Sequence, residues 1–355
     1  MDIVTIKKII QAALLGCTPD NSTVFRYAIT PLTTNQPAIK IFYNSEKVAG
    51  KSFPKDDPAI YLALGCALYN IKACCKELSL EVSVDIATKE NNSDLLAFIS
   101  LSKLPPEKEE ISSTIQVIKK RHTDRGAYHK KISEKDKKAI QDITTRSTRN
   151  STLLFESKDK SSLIKLIQIA SEIRFQVKEI HALLKNSLQF DNSQPDGLHI
   201  NTLALPLGGK YFIKFISKWD NLALINKIGG YKLLAAQEIA LLKNSPCLLI
   251  LRGKGSQLDF ISSGEELCHV WTSLNNAGYS VHPYYVIPDI LHRLEKKTLP
   301  SKHHVQAEHL LFEGAALLEK DKEFVYMILR IGKTKKSANR STRPDIESIL
   351  SIEDH

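Results

Sequence analysis

Two stretches of this chain, LALGCALYNIKACCKELSLEV (62–82) and ISSGEELCHVWTSLNNAGYSV (261–281), superpose at a constant offset, and this restricts the fold more than any other feature. Gly65 meets Gly264, Leu68 meets Leu267, Ile71 meets Val270 and Val82 meets Val281. In each copy, apolar residues recur at helical spacing and the pattern then runs directly into a strand. A glycine inside each helix allows close approach to a partner backbone, so a core-packing role and a duplicated-interface role are compatible. Strands flank both copies, and the sequence reads as two related halves in one polypeptide.

The remaining segments follow that division. Residues 3–15 place Ile6, Ile9, Ile10, Ala13 and Leu14 on one helical face, and the loop GCTPDNST follows with Pro19, Asp20 and Asn21 as breakers. FRYAIT and AIKIFYN alternate as strands around a TTNQP turn. Residues 58–79 return to helical spacing, and LEVSVDIA and DLLAFISL give further strands. The first half is therefore 1–104, and the charged, proline-bearing LPPEKEE opens a linker assigned to 105–118.

The second half, 119–336, repeats the grammar. Ser133 is the expected N-cap of SEKDKKAIQDI, with Asp136 at the capping-box position where Glu or Gln would reach the cap amide better. STLLFES reads as a strand and Ser161 to Leu188 as one long helix. Residues 187–209, with QPDG and PLGG, read as an insertion or lid. PCLLILRG is a buried strand, 258–276 a helix, YSVHPYYVI a strand, 304–319 a helix and EFVYMILRIGK a closing strand. Residues 337–355 read as a basic, polar tail.

The formal charge of +10 points to acidic partners such as a phosphorylated small molecule, an anionic lipid or a nucleic acid. Basic residues concentrate at Lys119–Arg149 and again at Arg330–Arg343, and neither zone carries a nucleic-acid-binding signature. Six cysteines without CxxC pairs or a framework spacing are expected in a reduced, cytoplasmic protein, and Cys17 reads most simply as a buried inert thiol. MDIVTIKKII is amphipathic rather than a signal peptide, and no apolar stretch is expected to span a bilayer. His303, His304 and His309 are poorly spaced for shared metal ligation, and no triad, P-loop or GxGxxG motif is present.

RHTDRGAYHKK (121–131) sets Arg121, His122, Thr123 and Arg125 within one short turn, a cradle for an anion or a solvated lead-in to a helix. In the order Arg, His, Thr, any residue, Arg, followed by Tyr128, it resembles the phosphate-binding motif of the flavin-dependent nitroreductase family. Three further elements resemble that family. GCTPDNSTVFRY keeps Thr18, Asn21, Ser22 and Phe25 of the loop that reaches a partner's flavin, but has Thr23 and Val24 where Gln and Pro are expected. Pro283, Tyr284 and Tyr285 stand at the strand end that approaches the flavin N5. Arg330 and Lys333 stand on the strand that returns a basic pair to the phosphate.

The resemblance, closest to single-chain tandem members, implies an α+β fold of two fused half-repeats forming an intramolecular pseudo-dimer. The N-terminus has no RxTxR counterpart, and TTRSTRN has no Thr-x-x-Asn arrangement, so one FMN per chain is expected rather than two. The implied activity is NAD(P)H-dependent reduction of a nitroaromatic, quinone or related acceptor, with the flavin carrying the chemistry and no metal. Flavin sequestration with little turnover and a flavin-consuming or biosynthetic oxidase are the alternatives within the fold, and a flavin-free nucleic-acid binder is the one outside it. A monomeric pseudo-dimer or a homodimer, without membrane or nucleic-acid partners, completes the expectation.

Overall fold

The computed structural model describes residues 1–30, 38–87, 94–103, 114–191, 193–334, 336 and 338–353. The TTNQP turn and the linker through residue 113 lie outside the described residues.

The first half contains helix α1 (Ile3–Leu14), strands β1 (Phe25–Ile29) and β2 (Ala38–Tyr43), helix α2 (Pro58–Glu77), and strands β3 (Leu80–Ile86) and β4 (Leu95–Lys103). Helices α3 (Thr114–Lys120) and α4 (Glu134–Ser147) lead into the second half. There β5 (Ser151–Leu154) is followed by α5 (Lys158–Arg174), α6 (Lys178–Ser187), α7 (Gly209–Ile216), α8 (Trp219–Asn226) and α9 (Gly230–Lys243). Then come β6 (Cys247–Gly253), α10 (Gln257–Asn276), β7 (Ser280–Tyr284), α11 (Val286–Glu295), α12 (His304–Leu318), β8 (Glu323–Gly332) and a last short strand, β9 (Leu350–Ile352).

The two sheets share one topology. The first is ordered β1-β2-β4-β3 and the second β5-β6-β8-β7, with every neighbouring pair antiparallel and one long helix between the second and third strands. Those helices, α2 and α10, pack on each other where the sequence echo falls. A Cβ on Gly65 would lie 1.9 Å from Ile261 O, and one on Gly264 would lie 2.1 Å from Leu62 O. Each glycine is therefore the contact point of the other helix, and the echo is a reciprocal interface. By length and composition α2 could cross a membrane (mean hydropathy 1.3), contrary to the reading above. It is instead a core helix buried between the halves.

The second sheet is covered on both faces. Cys247, Leu249 and Leu251 join the core around α10, while Leu248 and Ile250 join the core formed with α5, α11 and α12. This alternation explains why PCLLIL is apolar throughout instead of every second residue. The first sheet keeps an open edge strand, on which Glu81, Ser83 and Asp85 are exposed.

Four expectations are corrected. The helix read across 161–188 is broken at Phe175–Val177 into α5 and α6, with no proline or glycine at the break. The strand read through YYVI stops at Tyr284, and α11 begins at Val286 with Pro288 in its first turn, where a missing N–H costs nothing. The insertion extends well beyond 187–209, because α7, α8 and α9 form a cap with its own small core of Ile216, Leu222 and Leu234. Residues 338–353 are no tail: β9 pairs in parallel with β1, Tyr27 opposite Leu350.

Candidate functional site

The loop after α1 leaves the helix with its last carbonyls unpaired, and two arginines from elsewhere supply donors. Arg343 Nε donates to Leu14 O (2.8 Å), and Arg121 Nε donates to Leu15 O (3.2 Å). Asp20 and Asn21 follow in left-handed conformation, at φ 49° and 58°. Such strain persists only where surrounding contacts fix it. Here Asn21 Nδ2 donates to Gly197 O (3.1 Å) and Thr342 O (3.2 Å), and Gly197 N donates back to Asn21 O (3.0 Å). Thr23 Oγ1 donates to Asp196 (2.6 Å), so the 195–202 segment of the second half is laced onto the first-half loop.

The RHTDR turn is held by the second half. His122 N donates to Asn275 Oδ1 (2.8 Å), Trp271 Nε1 donates to His122 O (2.9 Å), and Asp124 N donates to Val281 O (2.9 Å). Beneath it lies Arg330, fully buried, with Nη2 donating to Asp124 O (3.2 Å) and Gly126 O (2.9 Å) and its guanidinium 3.9 Å from the Tyr128 ring centre. Arg330 is thus the floor of the turn and does not line the cavity described next.

Between the halves and under the α7–α9 cap lies a cavity of about 1160 Å³. Arg121, His122, Thr123, Arg125, Thr18, Asn21, Pro283, Tyr284 and Tyr285 all line it, so elements of both halves bring most of the sequence candidates to one cavity. Three do not reach it. Ser22 is buried behind the loop. Arg330 is the floor just described. Lys333 points outward, 2.7 Å from Asp136 Oδ1, and this bond, with that from Ser133, holds the Asp136 carboxyl far below its ordinary value. The Asp136 side chain is occupied by these partners instead of closing a capping box.

The wall is strongly cationic. Arg174, Arg293, Arg340 and Arg343 join Arg121 and Arg125, against Asp20, Glu238 and Asp289. Most of these guanidiniums already have partners: Arg174 pairs with Glu238, Arg293 with Asp289 (2.7 Å), and Arg340 with the carbonyls of Lys119 and Lys120. Arg125 differs, since among the described residues its guanidinium has no hydrogen-bond partner. Burial depresses its basicity, with Asp20 acting against that. Three more polar atoms on this wall, Arg174 Nε, His282 Nδ1 and Tyr284 OH, are buried and without partners among the described residues. Burial, then Arg330, Arg125 and Arg174, push His282 well below its ordinary value, so it faces the cavity neutral. A half-buried guanidinium without a hydrogen-bond partner, beside buried unsatisfied polar atoms, suits a polyanionic ligand with hydrogen-bonding edges.

The basic zone after Arg330 was legible, but its cavity residues are Arg340 and Arg343 instead of Arg330 and Lys333. Arg174 and Arg293, at the ends of α5 and α11, carry no local motif. Cys17 also lines the cavity, contrary to the reading of a buried inert thiol. Among the described residues no group of three or more His, Cys, Asp or Glu side chains is placed to hold a metal.

No protein-family model matches the chain, and no curated protein matches it. Solved structures similar to it include the nitroreductase-like family protein from Bacillus cereus, at 11% identity and a TM-score of 0.39 over 70% of this chain and 100% of that one. The FMN-dependent nitroreductase NfnB from Mycobacterium smegmatis in complex with NADPH is similar at 11% identity and 0.39, over 67% and 97%. A nitroreductase with bound FMN from Bacteroides fragilis is similar at 9% identity and 0.39, over 69% and 100%.

Proposed function

We propose that this chain binds one FMN in the cavity between its halves and acts as an NAD(P)H-dependent oxidoreductase toward a nitroaromatic, quinone or related acceptor. The observation that carries the reading is the Arg125 guanidinium, half-buried on the RHTDR turn without a hydrogen-bond partner among the described residues, on a wall with six arginines and three carboxylates. The residues present fit the group. Arg125 and the 121–126 turn would take the phosphate. Thr18 and Asn21 from the first half would supply polar edges, and Pro283–Tyr285 an apolar wall with backbone amide chemistry. Bound FMN supplies two-electron exchange between a nicotinamide and the acceptor. The chain's own part is to orient, to exclude water beneath the 195–202 segment, and to present fixed positive charge that favours an anionic reduced ring. At about 1160 Å³ the cavity exceeds the roughly 300–1,000 Å³ of ordinary ligand pockets, which leaves room for a second molecule beside the flavin.

A second reading, flavin holding with slow turnover, is favoured by the hydrogen bonds of Asn21, Thr23 and Thr342 that fasten the 195–202 segment over the loop. Purified protein should show a flavin absorbance spectrum, and Arg125→Ala should lower FMN affinity by about 10–100-fold with an unchanged unfolding midpoint. Wild-type protein that takes up no FMN, or an Arg125→Ala variant that retains it stoichiometrically, overturns the site. Rapid bleaching of the flavin by NADH or NADPH selects turnover over holding.

A further inference from the structure

Cys17 and Cys66 come from different elements, a loop and a core helix, yet their sulfurs are 3.1 Å apart. Gly16 makes this approach possible. A Cβ there would lie 3.2 Å from Ala67 N and 3.3 Å from Cys66 C, so glycine lets the loop lie against α2 without displacing it. Cys66 follows Gly65, the crossing point with α10, and its thiol donates to Gly264 O (3.2 Å). Cys17 lines the cavity, whereas Cys66 is fully buried behind it.

The surroundings of the two thiols differ in sign. The contact with Cys66 and, against burial, the Arg121 and Arg343 guanidiniums bring Cys17 down to about 7. Both guanidiniums are fixed nearby because they cap the carbonyls of residues 14–16. Burial, then the neighbouring Cys17 and Cys268, raise Cys66 well above the ordinary thiol value. An accessible thiolate beside a protonated, buried thiol is the arrangement of an attacking and a resolving cysteine.

We propose that Cys17 and Cys66 form a peroxide-reactive dithiol in the cavity wall: a hydroperoxide oxidises Cys17, and Cys66 closes a disulfide onto it. In the first step the Cys17 thiolate attacks the terminal peroxide oxygen. An S–O bond forms, the O–O bond breaks, and the alkoxide or hydroxide leaves with a proton from water, giving a sulfenic acid. In the second step the Cys66 sulfur attacks the Cys17 sulfur. The S–S bond forms, the S–O bond breaks, and the departing hydroxide takes the Cys66 proton as water. The dithiol is oxidised by two electrons and the hydroperoxide is reduced to an alcohol, or to water. The disulfide releases Cys66 from Gly264 O and ties the cavity loop to α2. The couple needs no flavin and stands apart from the reading above.

The test treats reduced, purified full-length protein with stoichiometric hydrogen peroxide and maps the digest by mass spectrometry. The expected product is one Cys17–Cys66 linkage lacking two hydrogens, with the other four cysteines still open to alkylation after unfolding. In Cys66→Ser, dimedone should label Cys17 as the sulfenic acid. In Cys17→Ser, peroxide consumption should fall by about tenfold or more. If Cys66→Ser does not fold, the wild-type map decides. A Cys66–Cys268 linkage, Cys17 carried to sulfinic acid while Cys66 stays free, or no oxidation of Cys17 would each overturn the proposal.

Discussion

The two halves of this molecule use the same strand order and the same central helix but differ in what they add to it. The first half leaves an exposed edge at β3 and contributes a short, strained loop. The second inserts α5–α9 between its first two strands and α11–α12 between its last two, burying its sheet on both faces. The shared helices make the interface, and the unshared loop and cap enclose a cavity against them. Two sheets of one strand order thereby frame one asymmetric cavity, with the 121–126 turn from one half and the Thr18–Asn21 loop from the other.

The largest expected effects concern the shared part. Gly65→Leu and Gly264→Leu should each destabilise by more than about 4 kcal/mol in denaturant unfolding, because either side chain meets the other helix's backbone. Similar losses from both, less than additive in the double variant, sharpen the claim of reciprocity; one tolerated substitution breaks it. Next comes a contrast between the halves. Arg330→Ala should cost about 3 kcal/mol, since it opens a buried void and takes the side-chain donor from Gly126 O, while Asp124 O keeps the Tyr128 hydroxyl. Arg26→Ala on the first sheet, an exposed side chain lying over Phe42, should cost under about 0.5 kcal/mol.

A smaller effect is pH-dependent. Burial raises Asp57, the cap of α2, to about 7, above its unfolded value, with Asp289 adding to the rise. Its contribution is therefore complete below about pH 4 and is lost as pH climbs through 7. Asp57→Asn keeps the cap acceptor and should flatten that decline, as thermal midpoints measured across the range would reveal. The smallest effect is expected of Lys333→Ala: unchanged affinity for FMN by titration, since its partner Asp136 lies outside the cavity. Loss of binding there would restore Lys333 to the site.

What could be read in the sequence depended on local periodicity. α1, α2, α10 and the strands β1–β4, β6 and β8 follow from apolar spacing, and the crossing glycines from a short echo. The RHTDR turn was legible because its charges are contiguous. The break between α5 and α6 was not, because Phe175, Gln176 and Val177 are ordinary helix residues whose geometry is set by packing. Arg343 could not be told from any tail arginine until the carbonyls of α1 lay beside it. The meeting of Cys17 and Cys66 depended on Gly16, whose neighbour across space is 50 residues away in no motif.

The strand β9 lies at the chain's end but belongs to the opening sheet. Unfolding the early strands must therefore detach the final segment, and with it Arg343 and Thr342 at the cavity. Two cores that could have melted in sequence are buckled into one cooperative block, and calorimetry on the intact chain should record a single endotherm.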